Sequence, residues 1–94
     1  MSYHTECRKL FAKAIELTQV DKKSLIDYLQ KSNEGYKAEL EDKDFDWGNL
    51  TPKMSQEAKD VFAEACDITI AWRLDTEEII NFNNDLINYL KGDL

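Results

Sequence analysis

Few residues in this chain have side chains suited to chemistry at neutral pH, and their spacing serves it poorly. His4 is the single histidine and Cys7 stands three residues on, so a helix would place both on one face. A tetrahedral zinc site needs two further ligands, such as Cys66 and an acid, and nothing in the spacing brings them there. The same pair is a poor Cys–His nucleophile, because Cys7 falls on an apolar stripe. Asp42, Asp44 and Asp46 alternate as in a calcium loop, but the glycine and the later bidentate glutamate that such a loop requires are not in register. Carboxylates that could pair for acid–base work are numerous but fall on solvated faces. The sequence therefore predicts a non-enzymatic protein without metal or cofactor.

The chemistry that remains is recognition. The stretch Glu39-Leu-Glu-Asp-Lys-Asp-Phe-Asp-Trp47 carries the acids Glu39, Glu41, Asp42, Asp44 and Asp46 against one base, Lys43, with Phe45 and Trp47 set among the last acids. Such carboxylates can pair with Lys and Arg of a partner, and the two aromatics can supply a buried anchor. Asp67 and Asn83 are weaker additions to the same candidate surface. The bland alternative is that Phe45 and Trp47 cap the core while the acids are merely solvated.

Charge narrows the partner. The net charge is −7, and most of it lies late: residues 1–47 hold eight Lys/Arg and ten Asp/Glu, residues 48–94 four and nine. This sign opposes direct nucleic-acid binding, which needs cations to displace counterions from phosphates, and it opposes docking on anionic membranes. It favours a basic protein, approached by long-range steering that salt weakens. By physical analogy with small helical immunity proteins, the expected function is an acidic inhibitor of immunity or anti-defence type. It would neutralise a nuclease toxin or another nucleic-acid-handling protein by occluding its substrate surface. The alternative is a helical adaptor or oligomeric scaffold subunit using Ile15, Ile70, Ile80 and Ile87 as contacts. Acyl carrier proteins are also small, acidic and helical, but their Asp-Ser-Leu is missing here: Lys23 precedes Ser24-Leu25, and Gln56 follows Ser55.

The N-terminus shows no apolar run behind a basic patch, and no stretch approaches the roughly 18 apolar residues of a membrane span. Two cysteines do not make a disulfide framework, so reduced thiols and a cytoplasmic location are expected.

Four helices must position these residues. With 43% hydrophobic and 33% charged residues, a packed core is expected rather than disorder. Cys7, Leu10, Phe11, Ala14 and Leu17 give a helical stripe over residues 5–19. Asp21, with Val20 and Leu25 at staple spacing, predicts a second helix from Lys22 to about Glu41, with Gly35 inside it. Thr51-Pro52 signals the start of a third, whose seam Met54, Ala58, Val61, Ala65, Ile68 and Trp72 suggests the most buried helix. Asp75 and Glu78 form a capping-box variant before a fourth, with Ile79, Phe82, Leu86, Tyr89 and Leu90 inward and four asparagines that suit a helix badly. The expected fold is all-α: one compact four-helix domain over residues 1–94, built as two capped helical hairpins joined by the acidic-aromatic loop.

Overall fold

Each helix begins where a short polar side chain takes up free backbone amides. The structure, a computed structural model, describes residues 2–50 and 53–92. Ser2 caps α1 (Tyr3–Ile15), its hydroxyl accepting from the Thr5 amide at 3.2 Å. Thr18 caps α2 (Gln19–Leu40), accepting from the Asp21 amide at 3.1 Å. Ser55 caps α3 (Gln56–Ala71), accepting from the Ala58 amide at 3.2 Å. Asp75 and Glu78 form the reciprocal box ahead of α4 (Thr76–Gly92): Glu78 N–H donates to the Asp75 carboxylate at 2.8 Å, and Asp75 N–H to the Glu78 carboxylate at 3.1 Å.

Two starts differ from expectation. Thr18 takes the cap assigned to Asp21, so α1 ends at Ile15 and α2 gains most of a turn. Asp21 then lies in the first turn, where its charge still favours the positive end of the helix. Val20 is left 74% exposed, so no staple with Leu25 forms. The Thr51-Pro52 signal lies outside the described residues, and α3 itself starts later, at Gln56.

Among the described residues the class is all-α with four helices, as the sequence predicts, and a short 3-10 turn spans Trp47–Asn49. Packing follows a different scheme from sequence order. α2 lies chiefly against α4 and α1 against α3, with smaller contacts of α2 with α3 and α1 with α4. The two tight corners thus redirect the chain, rather than folding successive helices side by side.

One continuous core results. Leu10, Leu25, Leu29, Val61, Phe82, Leu86 and Leu90 belong to it, and full burial of such side chains contributes roughly 1.5–3 kcal/mol each. α3 is not the most buried helix. Only Ala58, Val61 and Ala65 of its seam are buried, and Trp72 at its end is 42% exposed. α2 and α4 supply more of the interior. Ile80 and Ile87, expected as exposed contacts, are 7% and 4% exposed and face the core, whereas Tyr89 is 46% exposed and rests its ring on Phe11. Among the described residues no helix is long and apolar enough to cross a membrane.

Candidate partner-binding surface

The end of α2 sets the acidic stretch in place. Glu41 is the C-cap and Asp42 follows with φ 57°, in the left-handed region. Asp42 N–H then donates to Glu39 C=O at 3.1 Å, and Lys43 N–H to Ala38 C=O at 2.8 Å. This paired return of amides onto the last carbonyls is the Schellman arrangement, here built without glycine. It reverses the chain so that residues 43–47 run back along the helix they have just left.

Gly35 makes that return possible. A Cβ on Gly35 would lie 2.5 Å from the Trp47 ring and 2.8 Å from the Phe45 ring. The bare backbone is therefore a seat for both aromatics. Trp47 packs edge-on to Tyr36 with ring centroids 5.2 Å apart and to Phe45 at 5.0 Å. Phe45 is half-buried and Trp47 is 39% exposed. Burial pushes the Tyr36 hydroxyl above its ordinary pKa, so the aromatic seat stays neutral well past physiological pH.

The acids around this seat are exposed, but they are not equivalent. Asp46 is committed locally: its carboxylate accepts from Gly48 N–H at 3.0 Å and from the Asn49 side-chain amide at 2.7 Å, capping the 3-10 turn. Glu41 pairs with Lys43 at 2.9 Å. Glu39, Asp42 and Asp44 are exposed and make no ion pair among the described residues.

The two weaker sequence candidates fall elsewhere. Asp67 is exposed on α3, beside Glu6 and Lys9 of α1, along a different groove. Asn83 is 5% exposed, and its side-chain amide donates to Asn33 Oδ1 at 2.9 Å within the α2–α4 contact. It is a packing residue and is removed from the candidate surface. Asn33 was not legible as its partner, although the unusual asparagines of the fourth helix were the signal.

His4 is exposed and both cysteines are free thiols. Burial raises the pKa of Cys7 and of Cys66, which disfavours the thiolate that nucleophilic chemistry needs. Burial pushes the Tyr3 hydroxyl up to about 12, with the Cys7 thiol adding to the shift. Among the described residues no three His, Cys, Asp or Glu side chains converge as a metal site would require. Comparison with known protein families, curated proteins and solved structures finds no match for this chain.

Proposed function

We propose that this protein is a small acidic inhibitor, of immunity or anti-defence type, that binds a basic nucleic-acid-handling protein such as a nuclease toxin and occludes its phosphate-binding surface. One observation supports this reading above the others. Glu39 in the last turn of α2, and Asp42 and Asp44 on the reversal that Phe45 and Trp47 pin to Gly35, are exposed and make no ion pair among the described residues. A backbone held in place leaves only side-chain freedom to be lost when these carboxylates meet guanidinium or ammonium groups, which favours affinity. The aromatics serve first as the seat, with the exposed edge of Trp47 left for contact. Such an inhibitor would act in the cytoplasm, where Cys7 and Cys66 stay reduced.

The test is a double charge reversal, Glu39→Lys with Asp44→Lys. Asp46 is avoided because its carboxylate caps the following turn. Far-ultraviolet dichroism should be unchanged, while affinity for the basic partner should fall by on the order of a hundredfold, since two close charge pairs are lost. Equal affinity in the folded variant removes the acidic stretch as the site.

A second reading, a helical adaptor or oligomeric scaffold subunit, draws on exposed Val20, Ile70 and Trp72. It requires self-association or docking through those side chains. A monomer by light scattering at high protein concentration argues against the oligomeric form.

A further inference from the structure

A surface of opposite sign lies on the other half of α2. Lys23 and Lys31 of α2 and Lys53 line one cleft of about 640 Å³, together with Asp27, Tyr28 and Leu50. In a chain of net charge −7, three ammonium groups and a single carboxylate at one concavity invert the local sign. The carboxylate is already engaged, because Asp27 pairs with Lys31 at 3.1 Å. Lys23 and Lys53 have no carboxylate within ion-pair distance among the described residues. Two uncompensated cations across a cleft create a positive potential that the low-dielectric walls concentrate.

Shape adds to charge. The volume falls inside the roughly 300–1,000 Å³ typical of small-molecule sites. Tyr28 and Leu50 give the cleft an apolar side, and the Tyr28 ring is held by Phe62 in an edge-on contact at 4.8 Å and 86°. An aromatic ring and unpaired ammonium groups lining the same cleft suit a ligand with an anionic end and a less polar body. Lysine is a point-charge binder of phosphate. Three cations on so acidic a molecule are too few to hold a nucleic-acid backbone, which restricts the ligand to a compact anion.

We propose that this cleft binds a phosphate-bearing small molecule, a di- or triphosphate held by Lys23 and Lys53 with its body against Tyr28 and Leu50. Such a ligand would bridge α2 to the segment that follows the acidic reversal. The cleft adjoins the acidic reversal, since the Asn49 side chain in its wall donates to Asp46 at 2.7 Å, but the proposal does not rest on the partner-binding reading.

The experiment titrates the full chain with inorganic pyrophosphate and with ATP, both without added metal, by calorimetry and amide chemical-shift mapping. Saturable binding is expected, with shifts centred on Lys23, Tyr28 and Lys53. The exposed double substitution Lys23→Gln with Lys53→Gln should weaken binding roughly tenfold or more, whereas Lys37→Gln should leave it unchanged. The double variant's dichroism confirms that it folds. Absence of saturation with both probes, shifts centred elsewhere, or equal affinity in the double variant overturns the proposal.

Discussion

Asn83 is an amide on an otherwise apolar helix face, and its value depends on one neighbour. It donates to Asn33 at 2.9 Å, and Asn33 donates onward to Asn84 at 3.0 Å, so α2 and α4 are joined by a short ladder of amides inside their main contact. Such a bond adds little net stability while intact, but breaking it strands a buried acceptor. Asn83→Ala is therefore predicted to destabilise the fold by about 1–3 kcal/mol in denaturant titration, with partner affinity unchanged. A drop in partner affinity without loss of stability would return Asn83 to the binding surface. Four asparagines in one helix were visible in the sequence as an anomaly. Their meaning was not, because the partner stands fifty residues away and leaves no local trace. The acids divide in the same way. All five could be named from the sequence, but the commitment of Asp46 to a turn, and the freedom of Asp44, depend on backbone geometry.

Helix ends explain most of the remaining behaviour at the scale of elements. α2 and α3 both close by the same arrangement, with Asp42 at φ 57° and Arg73 at φ 51° where glycine is usual. In the second corner Arg73 N–H donates to Ile70 C=O at 3.1 Å and Leu74 N–H to Thr69 C=O at 3.0 Å. A side chain in this backbone region costs about 1 kcal/mol. Arg73→Gly should thus raise stability by roughly that amount, read as a higher denaturation midpoint at unchanged slope. Asp42→Gly should gain similarly yet bind the partner less tightly, separating stability from function at one residue. An unchanged midpoint in Arg73→Gly would mean that its corner carries no strain.

Gly35 makes the converse case. Helix propensity alone favours alanine by about 1 kcal/mol, but the new methyl would lie 2.5 Å from Trp47. Gly35→Ala is predicted to unseat the ring. In a Trp72→Phe background, Trp47 emission should shift to the red while helix content persists. Unchanged emission would contradict the seat. Continuation of α2 through Gly35 was legible, because the apolar stripe resumes in phase beyond it. The reason for glycine was not, since it depends on a reversal that brings residues 45 and 47 back onto residue 35. The Asp75–Glu78 box was fully legible because every partner is local. Thr18 was not legible as the cap of α2, because residue type alone ranks aspartate above threonine and so favours Asp21.

Over the whole molecule, periodicity revealed most of the inward side of each helix, with Ile80, Ile87 and Tyr89 of α4 misplaced, but not which neighbour it meets. The four-helix class was therefore predictable, while the pairing of α2 with α4 and α1 with α3 was not. The finished domain has principal extents of 36 × 30 × 22 Å, several times the screening length of about 8 Å at physiological salt. Charge is consequently felt over only part of the surface, and the acidic reversal and the basic cleft lie next to each other along α2, with the Asn49 side chain of the cleft wall donating to Asp46 at 2.7 Å. The salt dependence of partner capture gives the central claim a direct test. Tagged wild type and the Glu39→Lys/Asp44→Lys variant serve as baits in a lysate of the cells that make the protein, at about 0.1 M and then about 1 M salt, where screening lengths are near 10 Å and 3 Å. The account predicts that wild type retains a basic nucleic-acid-handling protein at the lower salt, loses most of it at the higher, and that the variant retains none. Identical captures by the two baits, or a partner indifferent to salt, would contradict it.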